Sequence, residues 1–259
     1  MCKLLVVFIF AASGLLYAQT ILEANGPGDT YELIESVFAP AGGEAVESPD
    51  CIHTEFGRHI CEVWDKDINQ FVFEFFLHLT PDNDRCIKTD RQRIEIKTQN
   101  TPDSLVARSG KTITFRWKFK LPTGFQPSSN FTHLHQIKAV GGNDGSPIFT
   151  LSPRKGSPNK MVLLHNNEEL IASVNLSLFE GTWVECTEII KVGNTKGAYS
   201  IIINKINDGM VILSYSNNDI MTIRKDNNFV RPKWGIVRSL KTPSDLRDET
   251  VRFAGFIIQ

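Results

Sequence analysis

The sequence predicts an all-β protein, two antiparallel sheets stacked as a sandwich or jelly roll, and three observations carry that prediction. Apolar and polar residues alternate with period two through most of the chain. Gly, Pro, Asn and Asp interrupt the alternation at short intervals. Only residues 31–38 show helical spacing. Many short strands between turns are the pattern of two packed sheets, and such folds commonly leave one sheet curved into an open groove.

The elements follow in order. Lys3, an uncharged apolar run at residues 4–16 and a small residue at Ala18 predict a signal peptide over residues 1–18. The run is too short to cross a bilayer comfortably, and Cys2 precedes it, so neither a membrane anchor nor a lipidated cysteine is expected. Residues 19–259 are long enough for one sizeable core and are expected to form a single domain, exported and monomeric. Strands are predicted at residues 71–79, 92–97, 111–120, 132–140, 147–151 and 160–165. Others follow at 182–191, 199–205, 210–215 and 251–258. The cleanest is 111–120, where Ile113, Phe115, Trp117 and Phe119 face one way and Arg116, Lys118 and Lys120 the other. Asn207-Asp208-Gly209 reads as a hairpin turn.

Charge excludes some partners. With 28 Lys+Arg against 29 Asp+Glu the net charge is −1, too small a field to gather nucleic acid, so a polyanion must be held by a local patch. Four cysteines follow the predicted signal peptide: Cys51, Cys61, Cys86 and Cys186. In an exported chain they suggest two disulfides among three connectivities. Cys51–Cys61 is the natural local pair, which leaves Cys86–Cys186. No C-x-x-C and no closely spaced Cys/His quartet is present, so no metal or other cofactor is expected. Asn130 and Asn175 lie in glycosylation sequons.

Three strands carry more polar chemistry than solubility requires. Residues 90–97 place Arg91, Arg93, Glu95 and Lys97 on one face, with Ile94 and Ile96 opposite. Arg presents a bidentate fork to a carboxylate and a neighbouring Glu can hold that fork in place, although ladders of ordinary ion pairs look the same in sequence. Residues 131–138 place Gln136 and Lys138 on one face and His133 and His135 on the other. Alternation does not say which face meets solvent. Residues 231–238 place Lys233, Gly235 and Val237 together, with Trp234, Ile236 and Arg238 opposite. Trp234 with its cations suits stacking on an acidic sugar, and suits a core equally well.

In order and spacing these strands resemble the signature strands of jelly-roll polysaccharide lyases, the group of alginate, glucuronan and heparin lyases. The matches are Arg93-Ile-Glu95 for R-x-E, Gln136-Ile-Lys138 for Q-I-H, and Lys233-Trp-Gly235-Ile-Val237 for K-x-G-x-Y. The resemblance implies a concanavalin-like sandwich with a concave groove. It also implies β-elimination in a uronic-acid polymer, with Arg93 and Gln136 binding the uronate carboxylate. Arg91, Glu95, Lys97, His133, Lys233, Trp234 and Arg238 are then the expected substrate-binding residues. Lys138 stands where the family has His, and Val237 where it has Tyr, so the proton-moving groups do not carry over. His135 and Lys138 are the candidate bases, with Tyr199 and Tyr215 as further substitutes. The alternative is a non-catalytic module that binds an acidic polysaccharide. Glycoside hydrolysis needs two facing carboxylates, and no compact E-x-D-x-x-E strand is present.

Overall fold

The computed structural model describes residues 19–102, 105–166 and 169–259, and the predicted signal peptide lies outside them. Among the described residues the chain forms fifteen strands and one α-helix, in order β1 (Thr20–Leu22), α1 (Thr30–Phe38), β2 (Val46–Glu47), β3 (Ile60–Asp65), β4 (Gln70–Leu77), β5 (Arg91–Lys97), β6 (Thr112–Lys120), β7 (Thr132–Val140) and β8 (Pro147–Arg154). They continue with β9 (Lys160–His165), β10 (Glu169–Asn175), β11 (Trp183–Lys191), β12 (Ala198–Lys205), β13 (Val211–Asn217), β14 (Phe229–Ser239) and β15 (Glu249–Ile258). One sheet runs β13-β12-β11-β6-β15-β4-β3, with β1 added beside β15. The other runs β10-β9-β8-β7-β14-β5-β2. All pairings are antiparallel, and the architecture is the predicted jelly-roll sandwich.

The inner faces follow the period-two pattern. In β6, Ile113, Phe115, Trp117 and Phe119 are buried while Arg116 is exposed. Removing such side chains from water stabilises the sandwich by roughly 1.5–3 kcal/mol each. Phe38 on α1 stacks on Trp234 at 5.6 Å, which seals one end of the core. The turn at residues 207–209 joins β12 to β13, and Gly209 takes a positive φ of 70° there. β3 and β10 escape the sequence pattern for opposite reasons. β3 is inverted: Glu62 and Asp65 are buried and Trp64 is exposed, because Glu62 accepts the Asn25 and Gly26 amides and Asp65 the Arg252 guanidinium. β10 is an edge strand with Leu170 in solvent.

The predicted cysteine pairing is wrong. The disulfide is Cys51–Cys86, with Cα atoms 6.3 Å apart, and Cys61 and Cys186 are free. Cys61 sits in register opposite Glu74 in the β3–β4 pair, and Cys186 is buried opposite Trp117 in the β11–β6 pair. Strand registry keeps both away from the loops that the bond joins.

Candidate functional site

The open face of the seven-stranded sheet gathers most of the residues singled out above. β5 pairs with β14 so that Lys97 opposes Lys233, Glu95 opposes Gly235 and Arg93 opposes Val237. β7 lies on the other side of β14, with Gln136 opposite Lys233 and His133 opposite Val237. The register of β7 against β14 shifts by one residue between Trp234 and Val237. Gly235 makes this geometry possible. Its φ is +144°, and a Cβ there would stand 2.0 Å from the Ile94 carbonyl oxygen.

At the centre lies a charge network closed on two buried carboxylates. Glu47, at the end of β2, accepts Lys97 Nζ at 2.8 Å, Arg85 Nη1 at 2.9 Å and Arg93 Nη1 at 3.3 Å, and also pairs with Lys233. Glu95 pairs with Arg93, accepts the Gln136 amide, and has Lys233 Nζ 3.5 Å away. Asp84 accepts Arg93 Nε at 3.0 Å. Burial would raise the Glu47 carboxyl, but Lys233, Arg93 and Lys97 outweigh it and hold the group well below the ordinary range. Burial likewise opposes the charge on Arg93, and Glu95, Glu47 and Asp84 override it, so the guanidinium stays charged. Its Nε and Nη1 are taken by these acids, while Nη2 has no acceptor among the described residues. Glu47, Asp84 and Arg85 were missed by sequence reading, because β2 is two residues long and the other two lie in a loop with no pattern.

Lys138 stands beside this network. Burial, and then the charges of Lys233 and Arg93, push its ammonium down to about 8, and Nζ donates to the carbonyls of Asp144 (2.6 Å) and Gly145 (2.9 Å). Further along β7, His133 Nδ1 lies 2.7 Å from Ser152 Oγ, and its ring stacks on Phe131 at 5.3 Å. Burial, reinforced by Arg154, Arg93, Lys138 and Arg91, pushes His133 down to about 3, so the imidazole is neutral at ordinary pH. Arg91 lies over the Phe131 ring at 5.4 Å and pairs with Asp90.

Two depressions flank the network, one at each end of β14. Beyond Val237 is a cleft of about 420 Å³ lined by Asn130, Phe131, Arg154, Ser239 and Lys241, adjoining a smaller one beside His133 and Thr150. Beyond Lys233 is one of about 360 Å³ lined by Gln99, Arg108, Phe229 and Arg231. The network, Lys138 and both depressions therefore lie along one line parallel to β7 and β14. A line of this kind suits an extended chain with polar rings and acid groups.

Three expected site residues on the inner face are corrected, and on the open face Glu95, fully buried under Arg93 and Gln136, supports those two and is not the expected substrate contact. His135 opposes Trp234 and points between the sheets, 2% exposed. It contacts Glu188 at 3.0 Å and the Lys233 carbonyl at 2.9 Å, and packs on Trp117 at 4.3 Å. It cannot meet a polymer, so it is not the base. Trp234 is wholly buried among Phe38, Trp117 and Phe256. Arg238 is buried and donates to Gln92 Oε1 at 2.7 Å and the Arg247 carbonyl at 2.8 Å. All three follow from one physical fact, that the inner face of β7 and β14 belongs to the core. Tyr199 is in the core as well, Tyr215 is on the other sheet, and Tyr31 is on α1 with its hydroxyl accepting the His59 amide, so among the described residues no phenol reaches this face.

No family model and no curated protein sequence matches the chain. Solved structures do. The marine PL-14 alginate lyase from Aplysia kurodai superposes with a TM-score of 0.59 at 13% identity, covering 92% of this chain and 97% of that one. Alginate lyase A1-II′, a member of polysaccharide lyase family 7, gives 0.54 at 14% identity, covering 83% and 92%. The alginate lyase from Klebsiella pneumoniae gives 0.53 at 11% identity, covering 76% and 83%. At these identities the likeness is one of fold, the same jelly roll.

Proposed function

We propose that this protein is an exported polysaccharide lyase that cleaves a uronic-acid polymer by β-elimination on the open face of the seven-stranded sheet. The observation that carries the reading is Lys138: a partly buried amine shifted to about 8 by burial and by the charges of Lys233 and Arg93, on the same strand face as Gln136. Arg93 Nη2 and the Gln136 amide would bind the uronate carboxylate and stabilise the enolate-like charge that grows as C5 loses its proton. Glu95, buried beneath both, holds them in place. Lys138 in its free-base form takes the C5 proton, and the ammonium so formed is the nearest acid for the O4 leaving group. The disulfide supports export, and among the described residues no helix is long and apolar enough to cross a membrane. That the solved structures sharing this fold are alginate lyases supports the same class of chemistry.

A specific observation favours a second reading, a binding protein of the same shape. Val237 lies between Arg93 and His133, at the middle of the line, and puts an apolar side chain where the resemblance calls for a phenol. The two readings differ in the sign of one pH dependence. A base at Lys138 works when deprotonated, so cleavage rises as pH passes upward through about 8. A cation at Lys138 attracts the polymer when protonated, so binding weakens over the same interval. Alginate, glucuronan and a glycosaminoglycan are the substrates to test, read by the ultraviolet absorbance of an unsaturated uronate end. Absorbance that grows through pH 8 and falls a hundredfold or more in Lys138→Ala establishes the lyase. Salt-sensitive binding without absorbance establishes the module. Neither result with any of the three removes both readings.

A further inference from the structure

Away from the groove, three histidines and an aspartate from two separate connections converge on one point. His53 lies in the turn after Cys51, His59 just before β3, His78 just after β4, and Asp82 in the loop leading to β5. Each offers one ligand atom, and these atoms all lie within 4.8 Å of one another, the one such grouping of His, Cys, Asp and Glu among the described residues. Asp82 Oδ1 is 2.8 Å from His53 Nδ1 and 3.2 Å from His59 Nε2, and Oδ2 is 3.2 Å from His78 Nδ1. Donors held by one tetrahedral zinc ion at 2.0–2.1 Å stand about 3.3 Å apart, which the three carboxylate–imidazole separations approach.

We infer that His53, His59, His78 and Asp82 form a structural binding site for a divalent transition-metal ion of the zinc type. Three imidazoles and one carboxylate are a borderline-soft, four-coordinate set that suits zinc and not calcium or magnesium, which take oxygen ligands. The surroundings support the assignment. His59 Nδ1 is 2.7 Å from Asp50 Oδ1, the carboxylate–histidine arrangement that orients a ligating ring and leaves Nε2 facing the metal. Gln92 Nε2 donates to the carbonyls of His78, Leu79 and Asp82 at 2.6–2.9 Å, which locks the backbone carrying two of the ligands. Phe56 packs on all three histidine rings, at 5.3, 4.8 and 4.3 Å, and covers one side of the site. His59 and Asp82 side chains are fully buried, while His53 and His78 are 13% and 20% exposed, which leaves a way in for the ion. With all four positions filled by protein the ion is structural, not catalytic. It ties the turn after Cys51 to the loop that delivers Asp84 and Arg85 to the groove, alongside the Cys51–Cys86 bond.

The test uses the mature protein purified without chelator or metal-affinity resin. Elemental analysis is expected to give about one zinc per chain. After chelation, Co²⁺ is expected to bind at one equivalent with the intense visible absorption of four-coordinate cobalt, and zinc is expected to displace it. Affinity should fall at least a hundredfold in His78→Gln and in His53→Gln, the two partly exposed ligands, whose folding is checked by circular dichroism. Asp50→Asn, which removes the negative charge from the outer partner of His59, should weaken binding 10–100-fold. A zinc-dependent rise in Tm should be present in the unaltered protein and lost in His78→Gln. Substoichiometric metal with a featureless cobalt spectrum, or a cobalt affinity unchanged by His78→Gln, overturns the proposal. None of these readouts depends on whether the groove cleaves or binds a polymer.

Discussion

β5 and β6 look alike in sequence and end in different circumstances. Each alternates an apolar face with a charged one: Arg91, Arg93, Glu95 and Lys97 on β5, and Arg116, Lys118 and Lys120 on β6. On β6 the charged face turns to solvent, with Arg116 exposed and Lys120 pairing with Asp67, itself exposed. On β5 the same kind of face is enclosed, with Glu95 fully buried and Lys97 7% exposed, because β2 and β14 flank it and lay Glu47 and Lys233 across it. Charged alternation thus reports a strand with one polar face. Whether that face is a solvated surface or a site depends on which strands become its neighbours.

The comparison is broken most forcefully at Glu47, where four cations meet one acid. Glu47→Gln leaves Lys97, Lys233, Arg93 and Arg85 crowded without their shared counter-charge and is expected to cost about 3–5 kcal/mol, read by urea unfolding. A loss below 1 kcal/mol would mean that the β5 face is as solvated as that of β6. His133 sharpens the contrast through pH. Its folded-state value is depressed, so the unfolded chain binds the extra proton first, and stability falls as pH drops from about 6.5 toward 3. His133→Gln should flatten that acid limb, an effect on the order of 1 kcal/mol after solvent screening, followed by thermal unfolding across the interval. The smallest effect belongs to β6, where Arg116→Ala should change stability by no more than about 0.5 kcal/mol by the same denaturant measurement.

How far the site was legible follows the same logic. Period two alone put Arg93, Glu95 and Lys97 on one side of β5 and Lys233 and Val237 on one side of β14, and the register brings those sides together. For β7 the alternation was visible but not its outcome: His135 went into the core and Gln136 to the open face, while His133 returned to the open face across the register shift. The histidine cluster was illegible for a different reason. Its ligands come as two pairs from separate connections, His53 and His59 before β3 and His78 and Asp82 after β4, and neither pair alone announces a site.

By itself the sequence determined what short-range patterning can encode: the sandwich of strands, most of their bounds, the hairpin at residues 207–209 and the division into polar and apolar faces along most strands. A side chain's face is set by its own strand's pleat, and that information is local. Only the tertiary structure decided which face became groove and which became core, that Cys51 meets Cys86, that Glu47 closes the network, and that His53, His59, His78 and Asp82 share one point. Each of these is a contact between segments joined by sheet order and loop closure, and sheet order is a property of the whole packed chain that no single strand carries.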